Sequence, residues 1–162
     1  MAWSMKTEGL TELSEMLGQL ADQAEKVASG ALFDGAGIVA DAYSKAIDSI
    51  ESKPNRFYAV AGKYQRLPTD AEKNALRGKI GIAKFRKNGS EVNTIIGLAN
   101  AGYVEIEGKT KAVAAIAQSI NSGTSFMKKQ PVFRKAARIA SSAAKAAMVA
   151  KAEQMIEEIT GK

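Results

Sequence analysis

Asn121-Ser122-Gly123-Thr124-Ser125-Phe126-Met127-Lys128-Lys129-Gln130-Pro131-Val132-Phe133-Arg134-Lys135-Ala136 stops one helical pattern at a glycine and starts another at a proline. Glycine reaches positive φ without a Cβ penalty and so closes helices, whereas proline has its φ preset for a first turn that needs no N–H. The stretch therefore predicts a fixed connector. In it Gly123 ends the preceding helix with positive φ, Pro131 starts the next helix and Phe133 anchors that helix in the core. On the N-terminal side, Val113, Ile116, Ala117 and Ile120 have helical spacing, which predicts a helix over 111–120. On the C-terminal side, an alanine-rich helix is expected from about Pro131 to Ile159; alanine has the highest helix propensity, so this helix can form with little core of its own. Its first turns carry Arg134, Lys135 and Arg138 and its last carry Glu153, Glu157 and Glu158, so both ends oppose the macrodipole.

At the N-terminus, Leu10, Leu13, Leu17, Leu20, Ala24, Val27 and Ala31 alternate spacings of three and four, the seam of a helix expected to pack on the protein's own sheet. Gly30, Gly35 and Gly37 weaken it, predicting a kink or break near Asp34-Gly35, after which the pattern resumes through Ile38, Ala42, Ala46 and Ile50 and stops before Pro54. Gly35-Ala36-Gly37-Ile38-Val39-Ala40 satisfies the dinucleotide fingerprint G-x-G-x-x-A, but those glycines must follow a strand and here they sit in helical spacing, so a kinked helix is the reading. Residues 52–68 read as a long loop with one short extended piece. Thr69-Asp70-Ala71-Glu72 is a capping box opening a short helix to about Leu76. Asn88-Gly89 predicts a type I′ hairpin over 79–98, with Lys87 opposite Ser90, Phe85 opposite Val92, Ala83 opposite Thr94 and Gly81 opposite Ile96. Arg86 against Glu91 and Lys84 against Asn93 then form the charged face. A third strand is expected from Gly102 to Glu107. The pattern is α+β: kinked N-terminal helices and a long C-terminal helix packed on a small, mainly antiparallel sheet of three or four strands.

A length of 162 residues with 46% hydrophobic content suits a single domain over 1–162. With no cysteine and no histidine, thiol nucleophiles, disulfides, histidine acid–base chemistry and the common zinc ligand sets fall away, which argues against an enzyme and for no metal and no cofactor. Met1 to Lys6 lacks the apolar region of a secretory leader and no run nears ~18 apolar residues, so no membrane role is expected. The net charge of +6 is unevenly spread. Residues 7–25 carry Glu8, Glu12, Glu15, Asp22 and Glu25 with no base, and 126–152 carry Lys128, Lys129, Arg134, Lys135, Arg138, Lys145 and Lys151 with no acid. Three readings stand together: these helices pack side by side within one subunit, they meet between subunits, or the basic one faces nucleic acid.

Gly123-Thr124-Ser125, a basic spacer and Pro131-Val132-Phe133-Arg134 resemble the signature of the HK-ninety-seven gene-ten-like proteins, small neck or tail-completion proteins of long-tailed bacteriophages. Gly9-Leu10 and Leu76-Arg77-Gly78-Lys79-Ile80-Gly81 resemble two further family stretches in the family's order, so the likeness spans nearly the whole chain. Lys135 stands in place of a second proline, and Asn121 where an acidic residue is common. The resemblance implies a structural protein of the virion head–tail junction, made in the host cytoplasm. Its partners would be further copies in a ring, favoured as a hexamer, together with the phage tail tube protein and a head-connector protein, with possible contact to DNA passing through the ring. Gly123, Thr124, Ser125, Pro131 and Phe133 form the expected structural connector. Glu8, Glu12, Glu15, Lys84, Arg86, Lys128, Lys129, Arg134, Lys135 and Arg138 are the candidate interface. The alternative is a cytoplasmic nucleic-acid-binding protein using the basic C-terminal helix and the hairpin, since 63–87 also carry eight basic groups against two acids.

Overall fold

A computed structural model describes residues 10–53, 57–60, 63–89, 91–98 and 101–161, with the side chains of 10–14, 57–60 and 63 outside the described set. Two helices dominate it: α1, Leu10–Asp48, and α4, Val132–Thr160. At ~1.5 Å per residue the 39 residues of α1 span ~58 Å. The two run antiparallel along each other, Gly30 lying against Met155 and Gly35 against Met148 and Ala144. The architecture is α+β, as expected.

No break occurs at Asp34-Gly35: α1 is assigned as helix without interruption. The glycines serve packing instead. A Cβ on Gly35 would stand 2.5 Å from Met148 Cγ and 3.1 Å from the Ala144 carbonyl oxygen, so the missing side chain lets the α4 backbone approach. The seam accordingly faces α4 more than strands, and only part of it is covered: Val27, Ala31 and Ala46 are buried, while Leu17 is 58% exposed. Ala136, Ala140 and Ala144 are the buried residues of α4. Small residues on both helices make this close approach possible.

The glycines give a paired prediction. A Cβ on Gly30 meets only the flexible end of Met155, at 2.6 Å from Sδ, so Gly30→Ala gains helix propensity and is stabilising by up to ~1 kcal/mol. Gly35→Ala gains the same propensity but overpacks against Met148 Cγ and a carbonyl, a penalty of ~1–3 kcal/mol. Urea titrations should therefore move in opposite directions.

Among the described residues the strands form four separate two-stranded antiparallel ladders rather than one sheet. The expected 52–68 loop contains β1 (Phe57–Val60) and β2 (Lys63–Arg66), paired from Phe57↔Arg66 to Val60↔Lys63. Phe57-Tyr58-Ala59-Val60 has the aromatic and β-branched content of a strand, which was outweighed in the sequence by flanking loop signals. The capping box is present: Thr69 Oγ1 accepts from the Glu72 N–H and Glu72 accepts from the Thr69 N–H, opening α2 (Asp70–Asn74), with Ala75 as C-cap.

The hairpin register differs from expectation. β3 (Ile80–Ile82) pairs with β6 (Ile96–Leu98), with Gly81 opposite Gly97, while β4 (Arg86–Asn88) pairs with β5 (Glu91–Asn93), with Arg86 opposite Asn93 and Asn88 opposite Glu91. Three residues, 83–85, separate the first strands and two, 94–95, the second, so an extra residue interrupts the ladder as a bulge does. Gly89 has φ +62°, but Asn88 lies in a strand and lacks positive φ, so Asn-Gly does not form the two-residue turn. The pair of positive φ values that a type I′ turn needs occurs at Glu107 (+54°) and Gly108 (+72°), between β7 (Tyr103–Ile106) and β8 (Lys109–Ala112). The third strand is as expected; of β8, Lys111 and Ala112 fall in the stretch expected to be helix.

With the register moved, Phe85 is not buried against Val92. It is 36% exposed and meets Phe33 of α1 edge to face, ring centroids 6.3 Å apart, while Lys87 pairs with Glu25. Phe85→Ala should then lower stability by only about 1 kcal/mol in a denaturant titration, the scale of one exposed aromatic pair. A loss of about 3–5 kcal/mol would instead mark a core side chain.

The core gathers where α1 ends. Ile47 and Ile50 pack with Leu76, Ile106, Met127 and the buried face of α3 (Val113–Ser122), namely Val113, Ile116, Ala117 and Ile120.

Candidate functional site

The connector is a hub built from backbone hydrogen bonds and from the side chains of Thr124 and Gln130. Gly123 caps α3 at φ +76° and ψ 165°, donating its N–H to the Ser119 carbonyl at 2.9 Å. Thr124 then folds the chain back: its Oγ1 accepts from the N–H groups of Phe126 (3.2 Å) and Met127 (2.9 Å), and its N–H donates to the Met127 carbonyl. Met127 enters the core, and the backbone on either side of it brackets Arg66 of β2. The Arg66 N–H donates to the Phe126 carbonyl at 2.7 Å, and the Lys128 N–H donates to the Arg66 carbonyl at 2.9 Å. Gln130 finishes the hub. Its side chain accepts from the Glu51 N–H and donates to the Glu51 carbonyl, both at 2.9 Å, and its N–H donates to the Ile120 carbonyl. Pro131 is the N-cap of α4, and Phe133 packs against the core with its ring 5.6 Å from Tyr43, edge to face.

Beside the hub sits one buried carboxylate. Glu72 is 2% exposed and accepts from both terminal nitrogens of Arg66 (2.6 and 2.7 Å) and from Lys111 Nζ (2.9 Å). Burial, the largest single influence, pushes its pKa up, but the hydrogen bonds from Arg66, Lys111 and the Thr69 N–H outweigh it and hold the group at about 2. The Arg66 guanidinium is in turn pushed up, chiefly by its hydrogen bond to Glu72. Thus β2, α2 and β8 are tied at one point. From the adjacent position of α2, Lys73 Nζ donates to the Asp48 and Ile50 carbonyls, each at 2.8 Å, and caps the end of α1. Glu72, Arg66, Lys111 and Gln130 were missed as a group. Only the capping box pointed at Glu72, and sequence spacing shows nothing of partners 39 residues away.

Along the start of α4 runs a groove of about 1020 Å³, floored by Ile38, Ala42, Ala46, Val132 and Ala140 and rimmed by charge from α1 and the connector. A smaller hollow on the flank of α4 is lined by Lys129, Pro131, Arg134, Lys135, Arg138 and Ile139. Here Lys129, Arg134, Lys135 and Arg138 of the candidate residues come together, while Lys128 lines the larger groove. Lys84 and Arg86 do not join them. Their hairpin rests on α1 at Glu25 and Phe33, whereas the connector meets α1 at its far end, ~20 Å along the helix axis. Of the acidic candidates, Glu15 is exposed on α1, Glu12 lies in α1 with its side chain outside the described residues, and Glu8 falls outside them altogether. Because α1 and α4 are antiparallel, with Gly30 level with Met155, the acidic start of α1 extends toward and past the C-terminal end of α4, away from the basic start of α4. The two oppositely charged segments are therefore at opposite ends of the molecule and do not neutralise each other within the subunit.

Gly35 and Gly37 lie within α1, where no strand precedes them, so the fingerprint is helix packing. Among the described residues, no group of three or more acidic side chains is placed to hold a metal, and no helix is long and apolar enough to cross a membrane. Comparison with protein families, curated proteins and solved structures finds no match for this chain.

Proposed function

We propose that this chain is a structural subunit of a phage head–tail junction, forming a ring, as a hexamer, that completes the tail and joins it to the head connector. One observation supports the reading above others: the segment that carries the family resemblance, Gly123 to Phe133, is a hydrogen-bonded hub that joins the chain just after α1, at Glu51, to β2, α3 and α4. A ring subunit must hold its contact surfaces at fixed angles, and a hub of this kind sets the direction of the longest helix. Its partners in this reading are further copies, a tail tube protein and a head-connector protein. The test is deletion of the gene from the phage or prophage that carries it, with the lysate viewed by negative-stain electron microscopy. Unjoined heads and tails are expected; intact virions at normal yield would overturn the role.

The nucleic-acid reading draws on Lys129, Arg134, Lys135 and Arg138 at one helix start, exposed or part-exposed beside the positive end of the α4 dipole. It loses the hairpin cations, which lie elsewhere. If it holds, DNA affinity should fall linearly in log K against log salt.

A further inference from the structure

We infer that the outward face of α4 is a self-complementary docking surface, on which a second copy of this chain lies antiparallel. Pro131, Arg134, Lys135, Arg138 and Ile139 follow one another at helical spacing, and Lys145, Val149, Glu153, Ile156 and Glu157 continue the same face. Most of it points away from Ala136, Ala140 and Ala144, which are turned to α1, while Lys135 and Ile139 stand on its edge, along the groove between α4 and α1. Its apolar residues are unusually open: Ile139 is 80% exposed, Val149 57% and Ile156 37%.

The charges on this face divide by sign along the helix. Arg134 and Arg138 repel each other one turn apart, as do Glu153 and Glu157, and each pair sits at the end of the macrodipole that disfavours it. Among the described residues none of the four makes a salt bridge. Arg134 and Glu157 are equidistant from the Lys145–Ala146 peptide, and so are Arg138 and Glu153. Two α4 helices laid antiparallel about that point bring both arginines of each copy level with both glutamates of the other. All the misplaced charges then gain opposite partners, and Ile139, Val149 and Ile156 are covered by the same contact. The arrangement uses the same patch on both copies and closes on itself, so it stops at two. It describes the free chain in solution and does not depend on the ring reading.

Sedimentation velocity and native mass spectrometry of the full chain test it. At about 50 mM salt the protein is expected to be a dimer, and at about 500 mM, where the screening length is roughly a third as long, mostly monomer. R134E/R138E and E153K/E157K should each be monomeric where the wild type is dimeric, and an equal mixture of the two should recover a mixed dimer. All four side chains are exposed, so melting temperature should change little. If either variant fails to fold, the combined reversal R134E/R138E/E153K/E157K carries the test, because it restores opposite signs and should dimerise. A monomeric wild type at low salt, a monomeric combined reversal, or dimers unaffected by either reversal would overturn the pair. So would a ring of more than two copies that persists in both reversals, while leaving the ring reading intact. If R134E/R138E removes DNA binding and leaves the mass unchanged, the basic patch belongs to a polyanion and the pair is wrong.

Discussion

Glu72→Ala should lower the unfolding free energy by about 3–5 kcal/mol in urea at neutral pH, the largest loss expected from any single charged residue described here. The substitution leaves Arg66 and Lys111 without the carboxylate they share, removes the side-chain half of the α2 capping box, and empties a site that is only 2% exposed. Glu72→Gln keeps the shape and some hydrogen bonding, and should be milder. The same group predicts the acid limb of stability. Its pKa is depressed in the folded chain, from 4.5 to about 2, so its contribution is fully present above the unfolded value and is lost as pH falls from there through about 2. That difference corresponds to about 3 kcal/mol. Urea midpoints measured between about pH 6 and pH 2 should fall on acidification in the wild type and fall much less in Glu72→Gln. Parallel acid limbs in the two proteins would mean that other carboxylates govern acid unfolding.

Gly123→Val is expected to lower stability by about 3 kcal/mol and the melting temperature by roughly 6–12 °C, with the protein still soluble. The position is doubly closed to a side chain. At φ +76° and ψ 165° the backbone occupies a region that is essentially glycine's own, and a Cβ there would lie 2.9 Å from Lys129 Cβ and 3.2 Å from its Cα and N. The chain can relieve this only by moving the segment that holds Met127 in the core and Gln130 on Glu51. The start of α4 should be redirected, and if the proposed role is right the variant fails to complete tails in a complementation assay. Full complementation with an unchanged melting temperature would mean the hub tolerates redirection and would remove the reason for linking this stretch to assembly.

Local conformation was legible in the sequence wherever a residue type leaves few backbone choices. Gly123 and Pro131 mark where α3 ends and α4 begins, Thr69 with Glu72 caps α2, and the apolar spacing from Leu10 to Ile50 makes a helix, because each depends on neighbours within a turn or two. Charge segregation was legible too, being a property of order along the chain. What it meant was decided only by tertiary structure. The antiparallel contact of α1 with α4 places the acidic segment of α1 at the opposite end of the molecule from the basic start of α4. Gly35 cannot be told from a helix breaker until Met148 and Ala144 are seen against it, since the same absent Cβ weakens an isolated helix and admits a neighbouring one. The hairpin register turned on one extra residue between Ile82 and Arg86, which no alternation pattern reveals because the partners that fix it, Phe33 and Glu25, lie on another helix. Glu72 reads as an ordinary capping residue. Its two cations come from strands on either side of it, and only folding makes it a buried carboxylate on which three elements converge.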